Sequence, residues 1–147
     1  MVWIFLKYFI LFALGHFLAA TAVYLNHRFV FHGKLGRLPI LRYFRRLHTL
    51  HHAHAYDEQR NEYFEPLWFK LLFFCLLFFT GIMISLPFTF GLLSFGILYS
   101  YRHFSIHNDD TESHFATHHK IHHCIDHRVN FSGIYPQIDV FFGTSRE

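Results

Sequence analysis

From Met1 to Leu25 the chain is almost wholly apolar, interrupted only by Lys7 and His16, and it ends at Asn26-His27-Arg28. About 20 apolar residues cross a bilayer as a helix, so residues 1–25 read as a transmembrane helix. Histidine-rich sequence begins at its last turn, which favours a retained span over a cleaved signal peptide. Lys7 lies close enough to the start to snorkel to the interface. A second apolar block runs over residues 67–102, with Gly81, Ser85, Pro87 and Gly91 near its middle. Helix breakers at the centre of a block this long predict a hairpin of two helices with its turn near Gly81 to Pro87. Between the blocks, residues 38–52 carry Leu41, Phe44, His48, His51 and His52 on one stripe, with Arg42, Arg45 and Arg46 on a narrow flank. Pro39 suits the first turn of that helix, and a basic amphipathic helix belongs in the membrane interface. Residues 53–65 are polar and read as an exposed connector ending at Pro66. Residues 103–147 complete a histidine-lined helical cap and tail. The expected fold is therefore all-α: a single domain over residues 1–147, an integral-membrane bundle of about three transmembrane helices with a cytoplasmic cap.

Composition supports this class and narrows the chemistry. Of the 147 residues, 52% are hydrophobic, 21 are Phe and only 16% are charged, yet 15 are His. The first three figures fit a membrane protein; histidine at that density does not fit lipid-facing positions. A net charge of +3, with aromatics in apolar blocks rather than among basic residues, argues against nucleic acid as a partner. Apart from Lys7, the Lys and Arg residues fall on or bordering the histidine side, which places that side in the cytoplasm. Cys75 sits in an apolar run and Cys124 among histidines, so no disulfide is expected and the compartment is reducing.

Ten histidines fall into four sets: His27 and His32; His48, His51 and His52; His103 and His107; His119, His122 and His123. At about 100° per residue, His119, His122 and His123 share one helix face, as do His103 and His107. His27 and His32 are five apart and converge only if the helix bends or ends between them, where Gly33 and Gly36 follow. A single imidazole on an apolar face is usually a hydrogen-bonded structural residue. Four sets at helix ends on one membrane side point instead to metal ligation. One ion takes four to six ligands, so ten imidazoles suit a pair of metals. Imidazole ligation is compatible with Fe, Zn, Cu or Ni, and spacing does not choose among them. Asp126 falls on the face of the last triad if the helix extends that far, and would then orient a ligating imidazole. His16, in mid-span, is either a neutral imidazole bonded to another helix or the lining of a cavity leading to the metals. Gly96 and Ser100 either allow close helix packing or leave room for an apolar substrate tail.

The order of these boxes resembles the integral-membrane fatty acid hydroxylase/sterol desaturase family. They run HX4H, HX2HH, HX3H and HX2HH between apolar hairpins. The closing segment, with Asn130, Phe131, Gly133, Asp139, Phe142, Gly143 and Thr144, resembles the end of that family's domain. The resemblance runs from about Asn26 to Thr144. It implies a non-haem di-iron oxygenase that activates O2 as co-substrate and hydroxylates or desaturates a lipid C–H bond. Zinc is the alternative occupant in an isolated sample. It also implies that the ten histidines are the ligands, with His54, His114, His118 and His127 outside the boxes. Against the family's usual four spans the chain shows three and no electron-donor domain. The expected partners are thus a membrane lipid substrate, an external electron-transfer protein, and a second copy or partner subunit. The rival readings are a carotenoid ring hydroxylase, an inactive family member, and, in another class, a non-catalytic membrane metal or haem carrier. The tail and the HX3H spacing favour the hydroxylase/desaturase reading over the first of these.

Overall fold

The computed structural model describes residues 1–56, 67–108 and 112–147. Most of the expected polar connector, from Asp57 to Pro66, and Asp109 and Asp110 lie outside the described residues. The described residues form helices and no strand: α1 (Val2–Asn26), α2 (Arg42–His54), α3 (Leu67–Ile82), α4 (Leu86–Asn108), α5 (His114–Cys124) and α6 (Pro136–Phe141). A π-helical turn, His27–Phe31, extends α1, and a short 3-10 turn, Leu35–Arg37, precedes α2. The chain divides into two compact units, one of Met1–Ala22 with Pro66–Ser100 and the other of Val23–Glu65 with Tyr101–Glu147.

The first unit is apolar. α1 exposes most of its large apolar side chains, with Trp3 at 80% and Phe9 at 68%, and buries Ala19, Ala20 and Tyr24 on one face. A helix that is hydrophobic all round but unburied by its own chain requires an apolar surrounding, which a bilayer provides. Among the described residues, α1 with its π-helical extension is the one helix both long and apolar enough to cross a membrane. α3 has 16 residues, short of the usual span. α4 has 23 residues but includes Thr89, Ser94, Ser100, Arg102 and His103. Of the three expected spans, length and apolar character among the described residues support one, and α3 and α4 form the expected hairpin. That hairpin turns at Met83 to Ser85, within the expected segment.

Close helix crossings hold this unit together. A Cβ on Gly15 would collide with the Phe88 carbonyl, and one on Gly91 with the Phe12 carbonyl, so the two glycines let α1 and α4 backbones touch. His16 closes the same crossing. Ser94 Oγ donates to the Gly91 carbonyl (2.8 Å), so it accepts from His16 Nδ1–H (2.9 Å). The His16 ring also lies edge-on to Phe95. His16 is thus a helix-to-helix bond. Gly96 lies under the Phe74 ring, where a Cβ would come within 2.9 Å, so its small size serves α3–α4 packing. Ser100 is exposed.

The second unit holds the ten histidines of the four boxes. His27 and His32 are five positions apart, and an α-helix would splay them. The π-helical turn removes the difficulty: the His32 N–H bonds the His27 carbonyl (3.1 Å), an i→i+5 bond that brings both imidazoles to one side. α2 begins at Arg42 rather than at Pro39, because Leu35–Arg37 and the turn after it take up the preceding residues. α5 starts at an N-cap, Ser113 Oγ accepting from Ala116 N–H (3.1 Å). It stops at Cys124, so Asp126 lies beyond its last turn.

Candidate metal centre

The ten histidines gather into two groups of five, and their donor nitrogens lie within 4.8 Å of one another in each group. The outer group is His27, His32, His48, His52 and His122, with His32, His48 and His52 partly exposed. The inner group is His51, His103, His107, His119 and His123, all buried. The groups cut across the sequence boxes. His48 and His52 serve the outer group while His51 serves the inner. His122 goes to the outer group while His119 and His123 go to the inner. Neighbouring residues on a helix project about 100° apart, so His51/His52 and His122/His123 each straddle two sites.

Proton counting shows why these groups fit metal ions. His27 Nδ1 and His122 Nδ1 each lie 2.6 Å from a backbone carbonyl, of Phe131 and Val129 respectively. A carbonyl only accepts, so each Nδ1 carries the ring's one proton and each Nε2 presents a lone pair. Those lone pairs face other imidazoles. His27 Nε2 is 3.0 Å from His48 Nε2, and His122 Nε2 is 3.1 Å from His52 Nε2. His48 Nε2 is also approached by His32 and His52 Nε2, each at 2.9 Å. One ring nitrogen cannot satisfy three such neighbours with a single proton. A cation at the centre satisfies all five. Metal–imidazole bonds of about 2.1 Å at right angles place adjacent nitrogens about 3.0 Å apart, the spacing found here. The inner group repeats it, with Nε2–Nε2 distances of 3.1 Å (His103–His119), 3.3 Å (His103–His107) and 3.0 Å (His107–His119). Within it, neither ring nitrogen of buried His123 has a hydrogen-bond partner among the described residues. An orphaned pair of buried nitrogens is costly unless an ion takes one of them.

Electrostatics agree with ligation. Burial first, then the crowding of other imidazoles, lowers His32 to about 3 and His52 to about 2. Burial, then His122, lowers His51 to about 4. Burial lowers His122 to about 4, although its bond to the Val129 carbonyl pulls the other way. His48, His119 and His123 are pushed well below their usual value by burial and neighbouring imidazoles. At neutral pH these rings are uncharged with lone pairs available, the form that binds metal.

Asp126 does not orient an imidazole. Its carboxylate accepts from Arg128 Nε and backbone N–H (3.0 Å each) and pairs with Arg146 (3.6 Å), because the helix that was to carry it has ended. Among the described residues, the carboxylate bonded to a histidine is Asp139, wholly buried, which accepts from His118 Nε2 at 3.1 Å. His118 is itself buried, and His127 donates from Nδ1 to the His122 carbonyl (2.7 Å). The sequence signal for Asp139 lay in the tail segment, where no periodicity marked its role. A cavity of about 410 Å³ opens beside the outer group, its wall including Arg28, Phe29, His32, Leu35, His127 and Phe131. Neither His16, Gly96 nor Ser100 belongs to either group.

No curated protein and no solved structure matches the chain. The fatty acid hydroxylase family profile matches residues 12–144, a stretch that includes all ten grouped histidines and the Asp139 segment. With a match over nearly the whole chain, the protein belongs to the fatty acid hydroxylase family.

Proposed function

We propose that the protein is an O2-dependent di-iron membrane oxygenase that hydroxylates or desaturates a lipid C–H bond, with electrons from a separate electron-transfer protein. The observation that carries this reading is the convergence of imidazole lone pairs in two adjacent five-histidine groups. Membership of a hydroxylase family supplies the reaction class. Iron bound by these groups would supply O2 activation and the oxidising power for the C–H bond.

The chain's own residues do the rest. The Phe131 and Val129 carbonyls hold His27 and His122 in the tautomer that presents Nε2. Burial of all five inner imidazoles keeps water from that group. The cavity beside His32 combines the apolar walls of Phe29, Leu35 and Phe131 with the cationic Arg28, a lining suited to part of an amphipathic lipid. The exposed apolar side chains of α1 support insertion, and the clustering of Lys and Arg near the histidines supports a cytoplasmic histidine side. Apolar α1 side chains left uncovered by the chain also suit a second copy or a partner subunit within the bilayer.

The test combines metal analysis with lipid mass spectrometry on cells with and without the gene. Two non-haem irons per chain, together with a lipid gaining one oxygen or losing two hydrogens, are expected. A haem Soret band, or a metal-free chain, overturns the reading. Mass measurement in nanodiscs tests assembly, and a strict monomer contradicts the partner expectation.

A further inference from the structure

The buried carboxylate of Asp139 has more partners than a core residue needs. It accepts from Phe131 N–H (2.7 Å), Ser132 N–H (2.9 Å), Thr144 Oγ1 (2.8 Å) and His118 Nε2 (3.1 Å). Four donors fill the four lone-pair positions of a carboxylate. Burial raises this carboxyl, but the bonds from His118, Ser132 and Thr144 outweigh it and hold it below its usual range. The Phe131 peptide is therefore gripped at both ends: its N–H by Asp139, its carbonyl by His27 Nδ1. One residue back, Asn130 sits at φ 57°, a left-handed conformation that asparagine tolerates. Its side chain donates to the His118 and Arg146 carbonyls (2.9 Å each) and accepts from Arg146 N–H (2.7 Å). Val129, next before it, gives its carbonyl to His122 Nδ1. A second line of bonds reaches Asp139 from the other side. Arg28 donates to Tyr24 Oη (2.8 Å), Tyr24 lies 3.0 Å from Thr144 Oγ1, and Thr144 donates to Asp139.

We propose that Asp139 is the positioning residue of the outer metal: by clamping the 129–132 loop it aims the two carbonyls that set the tautomer and orientation of His27 and His122. This inference rests on the metal-centre reading above. The two loop carbonyls bond His27 and His122, both members of the outer group, so the clamp bears on the outer metal. Asn in place of Asp139 keeps the shape but turns an NH2 toward at least one of four donors, so the loop loses its grip. Loss of a residue that orients a ligand usually weakens metal binding roughly 10- to 100-fold.

The experiment titrates the purified full-length chain in detergent with Zn2+ against a chromophoric chelator. The unsubstituted protein should bind two ions. Asp139→Asn should bind one ion as before and the other 10- to 100-fold more weakly. Adding His107→Ala should then remove the tight site, and adding His32→Ala the weak one. Imidazole 15N spectra should show two histidines losing a fixed Nδ1–H, a change that general loosening of the fold does not produce. Equal weakening of both sites, or of neither, overturns the proposal. Should Asp139→Asn fail to fold, Thr144→Val removes one of the four donors and should weaken the same site a few-fold. An unchanged or evenly divided effect there overturns it equally. An unsubstituted chain that binds no metal overturns the metal-centre reading, a separate failure.

Discussion

The outer and inner histidine groups have the same ligand count and the same Nε2 spacing near 3 Å, yet they sit in different surroundings. Three of the five outer imidazoles are partly exposed, a cavity reaches His32, and two rings are held through Nδ1 by backbone carbonyls. The inner five are buried, and both His119 Nδ1 and His123 Nδ1 lack a hydrogen-bond partner among the described residues. The outer site is built for access with its ligands oriented from behind. The inner site is built for closure, with packing alone orienting His119 and His123. Equal donor sets thus need not be equivalent, since access and ligand support come from the residues around them.

The largest expected effect is deletion of a ligand that anchors one group. His122→Ala should lose the outer metal, His119→Ala the inner, and each should lose all detectable turnover in a lipid product assay. Full metal content in either variant, by elemental analysis, breaks the assignment. Next in size is a difference in exchange. A chelator in excess should strip one metal per chain quickly and the other at least roughly tenfold more slowly, and His32→Ala should abolish the fast phase. A single phase for both ions removes the distinction between open and closed sites.

Acid gives a smaller, graded effect on the metal-free chain. The His pKa values are lowered on folding, so the unfolded chain binds more protons below its ordinary value near 6.5. Stability is therefore full above about pH 6.5 and falls as the pH drops toward the values of about 4 for His51 and His122. Melting temperatures from pH 8 to 5 should decline with acid, and bound metal should move the decline to lower pH. A melt that rises on acidification contradicts the neutral, lone-pair state of these rings. The smallest effect belongs to the apolar unit. Ser94→Ala removes one hydrogen-bond partner of His16 and should cost about 1 kcal/mol, leaving metal content unchanged. Loss of metal in that variant would restore a role for His16 at the metal site.

In the tail, helical spacing and the fold diverge. Asp126 was the natural choice because it continues the spacing of His119, His122 and His123. That choice assumed a helix which ends at Cys124. Asp139 is sixteen positions from the nearest grouped histidine in no helical register, and it reaches His118 only because the intervening loop folds back. His27 and His32 posed the opposite case. Five-residue spacing is wrong for an α-helix and right for the π-helical turn, but only the fold shows which occurs. In the second apolar block, length and apolar character diverge: α3 is apolar but has 16 residues, and α4 has 23 but mixes in polar ones.

What the sequence determined by itself is the all-helical class, the hairpin turn near Gly81 to Pro87, the membership of the family and the ten imidazoles that gather. These follow from period, breakers and residue type, which act locally. The division of those ten into five and five was decided by tertiary structure alone. The angle of about 100° between His51 and His52, and between His122 and His123, is present in any helix. It becomes two separate imidazole clusters only when α2 and α5 lie so that one imidazole of each pair faces each cluster. That arrangement depends on contacts between residues some seventy positions apart, among them His52 and His122, which no local pattern encodes.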